Sequence, residues 1–153
     1  MVLLFVFLGG LFTGLRSLTP TAATAWAAHA GWLKPAPLLA WIGGVPAVAI
    51  FTLLAAAELV ADKLPRTSSR TAPPGLIARI VLGGFVGACV ATAGGQGAVV
   101  GALLGIIGAV IGCFGGYQVR RRLVKALGTP DFVVALMEDA VTICGSLWVV
   151  SRF

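Results

Sequence analysis

Two carboxylic acids, Glu138 and Asp139, stand side by side in the apolar run VVALMEDAVTICG (133–145) of a chain that holds only five acidic residues. The TPD at 129–131 reads as a helix start, with proline at the boundary and an acid near the positive end of the helix dipole. On a helix beginning there, Glu138 lies about 10 Å along the axis, inside a hydrocarbon layer about 30 Å thick. Adjacent helical positions point about 100° apart. Glu138 therefore shares a face with Val134 and Thr142, and Asp139 with Ala135 and Thr142, so the pair flanks one inward groove. A third acid, Glu58, sits one turn before Asp62 in AAAELVADKLP, while Asp62 and Lys63 lie close enough to the following loop to reach the membrane interface.

The counter-charge expected for these acids is Arg16, in GLRSLTPT. A guanidinium can take a carboxylate in a two-pronged pair. Ser17, Thr19 and Thr21 add hydroxyls, and Pro20 removes a backbone donor and so frees a carbonyl. Irregular backbone at membrane depth survives only against protein or a wet cavity, which makes this stretch resemble the polar breaks that form sites in discontinuous transporter helices. The expected binding set is Arg16, Thr19, Glu58, Glu138 and Asp139, with Ser17, Thr21, Asp62, Lys63 and Thr142 around it. Three acids against one arginine would leave about two uncompensated charges in a low dielectric, so one or two should bind protons. Such a cluster suits proton or cation coupling; an anionic substrate would instead use Arg16 and the broken helix. The competing reading is that the same contacts only fix helix register, as polar glue, with Glu58 or Arg79 reaching out to the interface.

Other chemistries lack their residues. Cys89, Cys113 and Cys144 are isolated in apolar runs and read as small hydrophobes. His29 is the single histidine, a packed or interfacial ring, and with Met1 and Met137 it makes no haem pair. No HExxH or GxSxG occurs, and adjacent carboxylates without histidine are poor zinc ligands, so neither a metal nor another cofactor is expected.

The elements that must position these side chains follow from composition. Of the 153 residues 59% are hydrophobic and 10% charged, with mean hydropathy +1.03, which excludes a soluble domain and predicts one all-α integral membrane domain over residues 1–153. MVLLFVFLGGLF has no basic n-region and is read as mature protein rather than a signal peptide. Five apolar stretches stand out: 2–33, broken at Arg16 to Pro20; 38–61, with a kink expected at Pro46; 76–93; 97–117; and 131–150. The pieces 2–15 and 21–33 are each short of the roughly 20 residues of a full crossing. One broken crossing is the preferred reading, with a re-entrant pair as the alternative.

The net charge of +6 does not imply nucleic acid, because the basic residues fall between apolar stretches. Lys63, Arg66, Arg70, Arg79, Arg120, Arg121, Arg122 and Lys125 belong to one side, and Lys34 and Arg152 to the other. Eight against two predicts a multi-pass protein of the bacterial inner membrane with the basic loops 62–75 and 118–127 cytoplasmic. The run RRRLVK also suits contact with anionic lipid headgroups.

In the fourth stretch Gly97, Gly101 and Gly105, then Gly108, Gly112 and Gly116, recur every fourth residue; Gly83 and Gly87 begin a similar stripe in the third. Small residues at this spacing let helices approach closely, so a glycine-striped hairpin is expected. The stripe could also face a second protomer, which predicts a homo-oligomer or a partner membrane subunit; a glycine-lined permeation path is a further use.

The segments GLRSLTPTAATAWAAHAGWL, ELVADKLP, RTAPPGLIAR and TPDFVVALMEDAVTICGSLWVV together resemble the bacterial integral-membrane family called domain of unknown function 4126. The resemblance covers nearly the whole chain, and its most specific pieces are Glu58, Asp62, Lys63 and Pro65 with the late pair Glu138 and Asp139. It implies a small multi-span inner-membrane protein and carries no activity with it. Three functions therefore compete: a small transporter or channel using the Arg16 cluster, a structural or accessory membrane subunit, and, last, a membrane-embedded lipid enzyme.

Overall fold

The computed structural model describes residues 1–62, 72–128 and 130–153. Lys63, and with it most of the basic segment 62–75, lies outside the described residues. Those described form six α-helices and no strand: α1 (Val2–Leu15), α2 (Leu18–His29), α3 (Val45–Ala61), α4 (Pro73–Ala93), α5 (Ala98–Leu127) and α6 (Asp131–Val150), with one 3-10 turn at Ala40–Gly43. Three of them, α4, α5 and α6, are long and apolar enough to cross a membrane, while α1 and α3 are shorter apolar helices.

Two boundaries differ from the sequence reading. Pro46 does not kink a helix; it sits in the first turn of α3, where a missing N–H costs nothing, and the 3-10 turn precedes it. The basic stretch 118–127 is not a loop. It is the last part of the 30-residue α5, which ends only at Gly128, in the left-handed region at φ 60°. Arginine and lysine are good helix formers, so basic character alone does not stop a helix.

The first apolar stretch folds back on itself. Val2 at the start of α1 lies against Gly94 at the end of α4, and Phe5 packs on Trp148 and Phe153. After α2 the chain returns to that same end, where Ala36 N–H donates to Thr92 Oγ1 at 3.2 Å. Helices α1 and α2 thus form an antiparallel pair turning at Arg16 and Ser17. This replaces the single broken crossing with the paired alternative. The reason is geometric: extended backbone at Arg16 (φ −138°, ψ 116°) lets the chain reverse before α2 begins.

Packing is inside-out relative to a water-soluble bundle. Along α5, Gly101, Gly105, Gly108 and Gly112 are buried, whereas Val99, Leu103, Ile107, Ile111 and Phe114 face outward. The buried glycines serve two neighbours. A Cβ on Gly101 or Gly105 would overlap the Gly87 or Gly83 carbonyl of α4; one on Gly108 or Gly112 would overlap the Phe7 or Leu11 carbonyl of α1. Gly97 is the N-cap of α5 and faces open space. Helix α5 is therefore wedged between α1 and α4 at backbone contact, the arrangement by which dispersion holds helices together where water supplies no driving force. Helix α6 packs mainly on α2 and α1 and only touches α5.

The two ends of the bundle differ in chemistry. Trp32, Trp41 and Trp148 gather half-exposed at one end, with the Arg152 guanidinium 5.1 Å from the Trp148 ring centre. Amphipathic rings of this kind favour a membrane–water boundary. His29 is an exposed ring there, its Nδ1 2.9 Å from the Gly43 carbonyl oxygen. The polar cluster lies toward the opposite end.

Candidate functional site: an arginine–carboxylate cluster

The cluster is assembled from helix ends. Arg16 follows the last residue of α1, and its side chain is 1% exposed. Its Nη2 pairs with Asp139 Oδ1, and its Nη1 lies 2.9 Å from Asp62 Oδ2, just past α3. Asp139 is the ninth residue of α6, about 12 Å from its start at 1.5 Å per residue. The pairing of Arg16 with the late acids is thus realised through Asp139, and Asp62 stands in direct contact with the guanidinium rather than around it.

Glu58 does not touch Arg16. It accepts three hydrogen bonds at the start of α2: from Ser17 N–H at 2.8 Å, Ser17 Oγ at 2.6 Å and Leu18 N–H at 2.9 Å. The first amides of a helix have no intrahelical partner and carry the positive end of its dipole. A carboxylate from α3 satisfies them, so the break in the first stretch is held from outside the stretch.

Glu138 turns away from Arg16 to a second guanidinium, Arg120 on α5, at 3.5 Å. Arg120 also holds Asp62 Oδ2 at 2.9 Å and engages Asp131 with two nitrogens, Nε at 2.8 Å and Nη2. Asp62 therefore bridges the two arginines. All five acids of the chain, Glu58, Asp62, Asp131, Glu138 and Asp139, meet in this one region.

Of the surrounding hydroxyls, Thr21 donates to the Ser17 carbonyl at 2.9 Å and Thr142 to that of Glu138 at 2.8 Å, both inside their own helices. Thr19 Oγ1, Arg16 Nε and Ser146 Oγ are buried with no hydrogen-bond partner among the described residues. Among these residues no group of histidine, cysteine and acids is arranged to hold a metal ion.

Sequence reasoning missed Arg120, Asp131 and Arg79. In the sequence Arg120 and Arg79 read as topology signals, and Asp131 as a helix-start acid. The signal for Arg120 was present: it follows Gly108, Gly112 and Gly116 at the same spacing of four, on the inward face of α5. Asp131 and Glu138, seven apart, share the face of α6 that meets it. Arg79 is 7% exposed on α4 and donates through Nε to the Gly14 carbonyl at 3.0 Å and through Nη1 to Gly75 at 2.9 Å. Gly14 is in the last turn of α1, whose carbonyls lack helical partners, so a cation there is favoured.

An all-helical bundle with three apolar spans and ionisable groups gathered at its helix ends defines a helical membrane protein. The chain belongs to the family described as Domain of unknown function (DUF4126), which it matches over residues 3–151. No curated protein and no solved structure matches it.

Proposed function

We propose that the chain is a small membrane transporter or channel in which the arginine–carboxylate cluster carries protons or cations. The observation that supports this most is the convergence of ionisable side chains from α5, α6 and the ends of α1 and α3 on one another. Among the described residues the guanidiniums of Arg16 and Arg120 meet the carboxylates of Asp62, Asp131, Glu138 and Asp139. Ionisable residues within membrane helices are costly and typically functional. Arg16 and Asp139 hold the turn between α1 and α2, Glu58 holds the start of α2, and Glu138 with Arg120 borders the outer part of the cluster. The excess of Lys and Arg at the end of α5 supports a bacterial inner-membrane setting with that end on the cytoplasmic side.

The test is flux in proteoliposomes carrying a trapped pH indicator. Wild-type protein should collapse an imposed pH gradient faster than empty vesicles, and Asp139→Asn together with Glu138→Gln should abolish the difference. Equal rates in wild type and variant remove the acids from the mechanism.

A structural or accessory subunit is the second reading. It is favoured by the way the ion pairs tie α1, α3, α5 and α6 to one another, as polar glue would. Copurification of a fixed heteromeric complex that tolerates neutralised acids supports it, and the outward faces of α5 and α6 are then the surfaces for a partner subunit, a second copy or lipid.

A further inference from the structure

Between α1, α5 and α6 runs a groove of about 390 Å³, within the range of small-molecule sites. Gly112, Gly115 and Gly116 form its floor, and Met137 and Val141 stand along one wall. Arg120 and Glu138 border it as well, but their charged atoms turn to each other and to Asp62, so the lining is almost wholly apolar. Half-exposed Ile111, Met137 and Val141 mark its open flank, which faces sideways from the bundle where α6 only touches α5. From Ile111 to Leu123 the groove follows α5 for about 18 Å, roughly the depth of one leaflet of a hydrocarbon layer about 30 Å thick.

We infer that this groove holds one acyl chain of an anionic phospholipid, whose phosphate headgroup is engaged by Arg122 and Lys125. The inference goes beyond the transport reading and stands without it, because it needs only a bilayer around the helices.

Shape selects the chain. A lipid reaches the open flank sideways from the bilayer, and its hydrocarbon asks nothing of an apolar wall but contact. A helix, about 10–12 Å across with its side chains, is wide for a slot whose 390 Å³ is spread over about 18 Å.

Charge selects the headgroup. Arg122 follows Gly115 by seven residues, about two helical turns, so it extends the same open flank of α5, and Lys125 is its neighbour three positions on. Arg121, Arg122 and Lys125 are exposed and have no ion pair among the described residues, whereas Arg120 is taken up by Asp62, Asp131 and Glu138. Side chains of this length lay their stems on hydrocarbon and carry their charge out to the headgroups. A phosphate of net negative charge complements them. Phosphatidylcholine brings its own ammonium and offers no net charge. A chain seated in the groove fills the gap between α5 and α6, so the lipid ties the two helices together beside the Arg120–Glu138 pair.

The probes are dioleoylphosphatidylglycerol and dioleoylphosphatidylcholine, which share their chains, each titrated against purified protein in detergent and counted by native mass spectrometry. A basic residue beside anionic lipid multiplies binding about fivefold, so two of them should make phosphatidylglycerol roughly twentyfold the tighter ligand. Arg122→Gln with Lys125→Gln should erase that preference and leave phosphatidylcholine binding unchanged; both side chains are exposed, and glutamine is a good helix former. Gly115→Leu should abolish one-to-one binding of either lipid with no fall in melting temperature, because a Cβ at Gly115 meets nothing within 4 Å and its side chain would fill the groove. Equal affinity of the two lipids for the wild type overturns the inference, as does a preference that survives the double glutamine variant. Phosphatidylglycerol binding untouched by Gly115→Leu would assign the contact to the headgroup alone and overturn the groove. A change in oligomer size caused by Gly115→Leu would give the groove to a second copy instead. Lipid binding of the expected kind without any proton flux would keep the lipid site and end the transport reading; acid-dependent flux with equal affinity for the two lipids would do the reverse.

Discussion

A single oxygen, Asp62 Oδ2, lies 2.9 Å from Nη1 of Arg16 and 2.9 Å from Nη1 of Arg120. One arginine terminates α1 and the other sits three-quarters of the way along α5, so a carboxylate at the end of α3 joins parts of the chain that share no local sequence. Asp139 and Asp131 then hold the outer sides of the two guanidiniums. Removing a member of this chain of charges should be felt along all of it.

Arg16→Met should be the most damaging single change in the cluster. It takes a guanidinium away from both Asp139 and Asp62, and loss of one partner from a buried pair costs about 3–5 kcal/mol. Thermal unfolding in detergent should show a large fall in midpoint, and adding Asp139→Leu in the same chain should recover part of it. A double variant no more stable than Arg16→Met would mean that Asp139 is not held by Arg16.

Glu58 should act on α2 rather than on the arginines. Glu58→Ala removes the acceptor for Ser17 and Leu18 N–H, with an expected cost of about 0.5–2 kcal/mol, as for loss of a helix cap. Glu58→Gln keeps one acceptor oxygen and should cost less. Hydrogen exchange should accelerate at Ser17 and Leu18 in the alanine variant and leave amides in the middle of α5 unchanged.

Gly112 and Gly115 are three residues apart on α5 yet should answer alanine oppositely. At Gly112 a Cβ overlaps the Leu11 carbonyl, and forcing α1 away should cost about 1–3 kcal/mol, the usual scale of overpacking. At Gly115 the space is open, and alanine should stabilise by up to about 1 kcal/mol through helix propensity. Paired unfolding curves of the two variants check the sign of each.

Arg79→Leu should loosen the end of α1. Hydrogen bonds from a charged donor are worth about 1.5–3 kcal/mol, and the Gly14 carbonyl would lose one. Arg79→Lys should recover only part of the loss, because a lysine offers a single nitrogen where the guanidinium reaches Gly14 and Gly75 with two. Melting temperatures of the two variants give the order.

The antiparallel α1–α2 pair puts the start of α1, the turn after α2 and the end of α6 at one end of the bundle. Cysteines introduced at Leu3 and Lys34 should therefore react with an impermeant thiol reagent from the same side of a sealed vesicle, and one at Arg122 from the opposite side. Labelling of Leu3→Cys together with Arg122→Cys, and apart from Lys34→Cys, would contradict the fold-back.

Much of the architecture is written in local pattern. Apolar runs set the helices α4 and α6 nearly to the residue, because a segment that must satisfy its own backbone in lipid has only the helix to form. The break at Arg16 and Ser17 is equally local: a charge and a proline in an apolar run announce irregular backbone. The meeting of Arg16 with Asp139 follows from scarcity, since few charges lie deep in the chain and unpaired ones are costly. Tertiary structure alone decided the rest. Whether α2 continues α1 or folds back beside it depends on packing against α3, α4 and α6, to which short helices of 14 and 12 residues respond equally in either direction. Which acid takes which guanidinium depends on how far α5 extends past its glycines. A reading that ends α5 at residue 117 leaves Arg120 in a loop, and the true helix turns it inward to Asp62, Asp131 and Glu138. Charge sign and spacing can be read along one helix; the partner across the bundle is set by the depth and rotation of another, and those are fixed only when all the helices pack.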